Sequence, residues 1–202
     1  MIALVDYGAG NLASVRKALC ACGADVLEPA GPADLGRAAA IILPGVGHFA
    51  ATASLGESWR AAIRLRLEAG VPFLGICLGM QWLFEGSDEA PAVPGLGWLP
   101  GRITRLTDRT PDGDRLKVPH AGWNVARAAG PCRVPGLRDG AYFYFTHAYA
   151  APVTGDAAAT TMYGTPFASA VRRGLVCGVQ FHPEKSGAEG LAVLRAFVGG
   201  GL

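Results

Sequence analysis

The sequence predicts an α/β fold: a doubly wound, mostly parallel sheet with helices on both faces and added antiparallel strands. Three observations carry this. Over residues 1–85, short apolar runs alternate with stretches of helical periodicity, the signature of β-α-β units with right-handed crossovers. The runs at 2–6, 39–43 and 71–76 are almost wholly apolar, as strands covered on both faces are. Beyond Gly86 the strand-like runs crowd together with turn residues between them, which predicts antiparallel or mixed pairing.

In order, residues 2–6 read as a strand and 11–22 as an amphipathic helix with Leu12, Val15 and Leu19 on one face, followed by a strand at 24–27. Gly8-x-Gly10-x-x-Ala13 mimics a dinucleotide fingerprint, with Glu28 about 20 residues further on. The chain leaves little room for a substrate domain, so the glycines read instead as a turn lining a crevice at the sheet's C-terminal edge. Residues 39–43 form the third strand, and Pro44-Gly-Val-Gly47 the loop leaving it. A helix at 58–68 buries Trp59, Ile63 and Leu67; the strand 71–76 follows, then a helix from 78 to about 85. After a loop at 90–101 and a strand at 102–107, residues 108–114 make a turn-rich link. Strands at 141–149, 158–163, 168–172 and 175–181 precede a closing helix at 187–198 with Leu191, Leu194 and Val198 inward. With no repeats and no linker, residues 1–202 are expected to be one domain.

Composition narrows the function class. Half the residues are hydrophobic, yet no apolar run approaches the ~20 residues of a membrane span. Residues 1–6 lack a basic flank and enter a strand at once, which predicts no signal peptide. A net charge of +2, with scattered charges, argues against a nucleic-acid face. Cysteines at 20, 22, 77, 132 and 177 are odd in number, which predicts reduced thiols and a cytoplasmic setting. No His/Cys cluster has zinc spacing, so neither metal nor cofactor is expected. Of the three lysines, Lys117 and Lys185 lie beside motifs.

The chemistry concentrates in two places. Cys77 sits where a buried strand turns into a helix, flanked by Gly75 and Gly79 as G-x-C-x-G. This is the cysteine form of a strained nucleophile elbow, in which small neighbours let the chain double back and the helix start favours the thiolate. Downstream, Phe181-His-Pro-Glu-Lys-Ser186 places His182 at a strand end with a carboxylate, Glu184, two residues on. A histidine so placed can act as a base held by an orienting acid.

The pair GICLGMQ and FHPEKS resembles the class I glutamine amidotransferases, whose Cys-His-Glu triad cleaves glutamine. Leu43-Pro-Gly-Val-Gly-His48 is similar to the family's oxyanion segment. Tyr7-Gly-Ala-Gly-Asn-Leu12 and Pro119-His-Ala-Gly-Trp-Asn124 resemble a subgroup whose members work with a (β/α)₈-barrel cyclase subunit; Ala121 stands where that motif has methionine. The resemblance spans residues 6–186 and implies catalytic Cys77, His182 and Glu184. It implies oxyanion donors at Val46, Gly47 and Leu78, with rotation of the Val46 peptide as a switch. Substrate contacts would come from Gly45, Gln81, Tyr144, Thr146 and His147. His120, Gly122, Trp123 and Asn124 have no triad role and, with Lys185, are assigned to a partner-facing surface. The implied assembly is a heterodimer with the cyclase, fed by glutamine. Two alternatives are the glutaminase of another synthase, which the PGVG and PHAGWN segments disfavour, and a stand-alone γ-glutamyl cysteine hydrolase using the same triad.

Overall fold

The structure, a computed structural model, describes residues 1–130 and 133–201; Cys132 lies outside the described residues. The first half alternates as expected: β1 (Ile2–Leu4), α1 (Leu12–Ala21), β2 (Val26–Leu27), β3 (Ala40–Leu43), α2 (Glu57–Glu68), β4 (Phe73–Ile76) and α3 (Leu78–Gln81). Then come β5 (Gly86–Ser87), β6 (Arg102–Arg105), β7 (His120–Ala128), β8 (Ala141–His147) and β9 (Tyr149–Ala150). The chain closes with β10 (Ala157–Tyr163), β11 (Thr165–Arg173), β12 (Val176–Val179) and α4 (Gly187–Val198).

A nine-stranded sheet runs β2-β1-β3-β4-β12-β11-β10-β7-β8. Its first five strands are parallel, and from β12 outward every neighbour is antiparallel. Both faces are covered. Val15 and Leu19 of α1 pack with Val193, Leu194 and Phe197 of α4 on one side. Ile63 and Leu67 of α2 pack with Phe73 and Trp82 on the other. Burying each such side chain contributes ~1.5–3 kcal/mol, so the two apolar layers dominate the fold's stability.

Four expectations need correction. The helix after Cys77 stops at Gln81 rather than near Glu85. The carbonyls of Trp82, Leu83 and Phe84 accept instead from the N–H groups of Leu96, Trp98 and Gly97, at 2.6–3.0 Å. The loop after the helix thus supplies the donors that another turn would have used. Residues 120–128 form a strand, β7, which Gly122 (φ 143°) and Asn124 disguise in the sequence. The last sheet strand ends at Val179, and α4 buries Val193, Leu194 and Phe197, leaving Leu191 and Val198 half-buried. Among the described residues, no helix is long and apolar enough to cross a membrane.

Candidate active site

β4 and β12 lie side by side in parallel at the middle of the sheet, so both deliver their C-terminal ends to one edge. Cys77 follows β4 directly, with φ 52° and ψ −105°, a conformation held only when the surroundings over-determine it. They do. Its N–H donates to the Val179 carbonyl (2.7 Å), and its carbonyl accepts from the Gln81 N–H (3.0 Å). The two glycines are required by space: a β carbon on Gly75 would press on the Gly79–Met80 peptide at 2.6–2.7 Å, and one on Gly79 would collide with the Leu43 carbonyl.

Past β12 the chain stays beside β11 for one more residue and then changes partner. The Gln180 N–H donates to the Ser169 carbonyl and the His182 N–H to the Tyr144 carbonyl, both at 2.9 Å. This carries His182 across to β8 and in front of the elbow. His182 Nδ1 donates to Glu184 Oε1 at 2.8 Å, with side chains only 1% and 0% exposed. Asn11 Nδ2 donates to the same oxygen at 2.6 Å. Because a carboxylate can only accept, Nδ1 carries the proton and Nε2 faces the sulfur. Nε2 makes no hydrogen bond in this arrangement. Burial works to push the imidazolium pKa down, but Cys77 in front and the Glu184 carboxylate behind more than offset it, holding it at about 9. At neutral pH the proton therefore stays on His182.

Two further groups were not singled out by the sequence. Gln180 is fully buried and its Nε2 points at Cys77 Sγ (3.5 Å), while its Oε1 accepts from Gln81 Nε2 (3.0 Å). Gln81 Nε2 also donates to the Tyr149 carbonyl at 2.9 Å. Glutamine in the middle of an apolar strand run was the available signal for Gln180. The other group, Asn11, gave a signal only through its place in a glycine turn; it adopts φ 58°.

Two of the three expected oxyanion donors, the N–H groups of Leu78 and Val46, are occupied. The Leu78 N–H donates to the Gly45 carbonyl (3.2 Å), and the Val46 N–H donates to the Ala9 carbonyl (2.9 Å). Gly45 C=O and Val46 N–H are the two ends of one peptide plane. A single peptide thus blocks one donor with its oxygen and turns the other away.

Gly47, Cys77, Leu78, Gln81, Thr146 and His147 share one small cavity of about 30 Å³, bordered also by Glu89, Ala148 and Tyr149. A larger cleft of about 370 Å³ over β7 and β10 contains no triad residue. Gly45 and Val46 lie at the elbow beside the small cavity. Tyr144 does not line it. Along β8, Phe143, Phe145 and His147 point one way and Tyr144 the other, where its ring meets Trp123 (6.2 Å) and sits beneath Lys185 Nζ (5.9 Å). Its contribution to the triad is its carbonyl. Trp123 is 56% exposed and Lys185 is exposed, but Asn124 does not join them: its half-buried side chain lies on the other face of β7, where Nδ2 donates to the Met162 carbonyl at 3.1 Å. His120 is not on that surface: it is buried, stacked between Tyr163 and Phe145 at 4.1 and 5.0 Å. The exposed His48 uses Nδ1 to accept the Ala50 N–H. Among the described residues, no group of three or more His, Cys, Asp or Glu could hold a metal ion.

His120 belongs to a relay with fixed tautomers. The Tyr149 carbonyl can only accept, so His147 Nδ1 donates to it (2.9 Å). His147 Nε2 then accepts from His120 Nδ1 (3.2 Å), and His120 Nε2 accepts from Asn124 Nδ2 (3.3 Å). Burial pushes the His120 and His147 pKa values from 6.5 to about 4 and about 3. The unfolded chain takes up these protons first, so this stability is complete above pH 6.5 and is lost as pH falls through about 4 and 3. His182 has the opposite sign: its contribution is complete below 6.5 and fades as pH rises through about 9. Urea unfolding across pH 4–9 is expected to show falling stability on both sides of about pH 6.5, each imidazole contributing at most ~1.4 kcal/mol per pH unit. A flat profile would contradict these assignments.

Comparison with known proteins agrees with this geometry. Residues 3–199 match the family model described as Glutamine amidotransferase class-I. A protein of Desulfitobacterium hafniense (strain Y51) named imidazole glycerol phosphate synthase subunit HisH is 48% identical over 204 residues, covering 98% of this chain and 93% of that one. Its namesake in Methanothermobacter thermautotrophicus is 43% identical, covering 98% of both. A crystal structure of a glutamine amidotransferase superposes with a TM-score of 0.74 at 22% identity, covering 99% of this chain and 100% of that one. PurLQS from Thermotoga maritima gives 0.74 at 18% identity, over 100% and 98%.

Proposed function

This chain belongs to the class-I glutamine amidotransferase family, and we propose that it is the glutaminase subunit of an imidazole glycerol phosphate synthase. The observation that carries the chemistry is the line Cys77–His182–Glu184, buried and tautomerically fixed at the edge of the parallel sheet. Relatives of that name, 43–48% identical over nearly the whole chain, support the assignment to this synthase.

With its proton on His182, Cys77 attacks as the thiolate at the side-chain amide carbon of glutamine. The carbon–nitrogen bond breaks as His182 gives its proton to the leaving nitrogen, so ammonia departs and a thioester remains. Water then attacks the thioester as His182 takes a proton from it; the carbon–sulfur bond breaks, glutamate leaves, and the thiolate and protonated His182 are restored. Gln180 Nε2 steadies the sulfur. Glu89, whose Oε2 accepts the Phe49 N–H at 2.8 Å, is the cavity's carboxylate and suits the α-ammonium group of glutamine. The ammonia passes to a cyclase subunit, a (β/α)₈ barrel, which forms imidazole glycerol phosphate and aminoimidazole carboxamide ribonucleotide. Trp123 and Lys185 supply the face it meets. The assembly is a cytoplasmic heterodimer in which this chain is one glutaminase domain, needing neither metal nor cofactor.

The occupied oxyanion donors make the free chain slow. Losing one donor costs roughly 10²–10³ in rate, and here neither the Leu78 nor the Val46 N–H is available. The two backbone bonds that close the site are worth only ~0.5–1.5 kcal/mol each, so a bound partner can open it. Glutaminase rates are to be measured for the chain alone, with the cyclase, and with the cyclase and its nucleotide ligand. A rise of two orders of magnitude or more is expected in the third mixture alone. Full speed in the first would favour a stand-alone hydrolase; no stimulation by the cyclase would favour another synthase.

A further inference from the structure

The Tyr7 hydroxyl is buried and has no hydrogen-bond partner among the described residues. A buried hydroxyl without a partner is unfavourable, and phenylalanine would fill the same space without that penalty. Of the six other side-chain atoms in this condition among the described residues, two, His182 Nε2 and Glu184 Oε2, belong to the triad. The position of Tyr7 is informative. Its oxygen lies so close to the α carbon of Gly45 that a β carbon there would collide with it, and Leu78 Cβ borders the same spot at 3.0 Å. Gly45 and Leu78 are the residues whose carbonyl and N–H meet in the closed site. Burial and the nearby Cys77 push the phenol's pKa upward, so it keeps its proton and remains a donor.

Turning the Gly45–Val46 peptide over removes two hydrogen bonds at once. Leu78 and Val46 N–H are freed to face the oxyanion, which is the gain. The loss falls on the two carbonyls: Gly45 C=O swings to the side that Val46 N–H has left and faces Ala9 C=O, oxygen to oxygen, with no donor between them. Tyr7 stands two residues before Ala9 in the same glycine turn, between Gly8 (φ 81°) and the strand β1 that precedes it. Its hydroxyl is already against Gly45. We propose that the Tyr7 hydroxyl receives the Gly45 carbonyl when this peptide turns over, which makes Tyr7 a positioning residue of the oxyanion site. The proposal rests on the glutaminase reading above and adds the group that stabilises the open state.

The test is Tyr7→Phe in the complex with the cyclase subunit and its nucleotide ligand. Four quantities are measured: stimulated glutaminase kcat and KM, alkylation of Cys77 by iodoacetamide, and cyclase turnover on added ammonium. The kcat is expected to fall by about tenfold or more, with KM within about twofold, because the oxyanion appears only after substrate is bound. Alkylation needs no oxyanion site, so its rate stays at the wild-type value, and so does ammonium-supported turnover. Should Tyr7→Phe fold poorly, 3-fluorotyrosine at position 7 retains hydroxyl and shape, and is expected to retain kcat within about twofold. A wild-type stimulated kcat in Tyr7→Phe overturns the proposal, as does a loss of kcat with 3-fluorotyrosine. Slower alkylation in Tyr7→Phe also overturns it, assigning the hydroxyl to the sulfur instead. A wild-type complex without stimulation would overturn the subunit reading, and this proposal with it.

Discussion

Cys77→Ala is expected to abolish glutamine hydrolysis in the assembled complex while leaving ammonium-dependent cyclase turnover intact. The elbow offers no second thiol: the other residues at the cavity are glycine, leucine, glutamine, glutamate, threonine, histidine, alanine and tyrosine. Only a thiolate facing His182 can form the thioester, and removing a triad nucleophile costs on the order of 10⁶ in kcat. Alanine is smaller than cysteine and keeps the β carbon, so the strained backbone at φ 52° is asked for nothing new. Glutamate release and ammonium-driven product formation, measured on one preparation, decide the matter. Glutaminase activity above a trace in the alanine variant would sink the assignment.

The second large effect is at His182. His182→Ala removes both the proton acceptor and the proton donor of the cycle, with an expected loss of about 10⁶; Glu184→Gln should retain roughly a hundredfold more activity. The glutamine can still present an oxygen to His182 Nδ1 and Asn11 Nδ2, the two donors that Glu184 Oε1 now satisfies. What it lacks is the charge that helps to hold the His182 proton. In the wild type, kcat/KM is expected to decline on the basic side near pH 9, where His182 gives up its proton. Glu184→Gln should bring that limb to lower pH. Equal losses in the two variants, or a limb that does not move, would show that Glu184 does something other than support the imidazolium.

Much of this was legible in the sequence because it depends on local order. The alternation of apolar runs gave the parallel half-sheet, and the G-x-C-x-G and FHPEKS segments gave Cys77, His182 and Glu184, since both lie at strand ends where short motifs fix geometry. What escaped depends on long-range contacts. Asn11 and Glu184 meet across 173 positions, and Gln180 and Cys77 across 103. Tyr144 was expected in the glutamine pocket and His120 on the surface. Which way each points follows from the pairing of β7 with β8, where Trp123 lies opposite Tyr144 and His120 opposite His147. A strand disguised by Gly122 gave no register to count from. The short α3 was likewise set by carbonyls that a loop fifteen residues on captures.

The closed oxyanion site is fastened entirely by main-chain atoms of Ala9, Gly45, Val46 and Leu78. No exchange of side chains can delete either bond directly, so random substitution has few ways to produce a subunit that squanders glutamine. Proline at position 46 or 78 is the exception, since either substitution would strip away an N–H that the fastening uses. Each would also strip away the same N–H from the open state, so that accident yields a feeble enzyme rather than a leaking one. Restraint and competence draw on the same atoms, and damage to the first cannot be inherited without damage to the second.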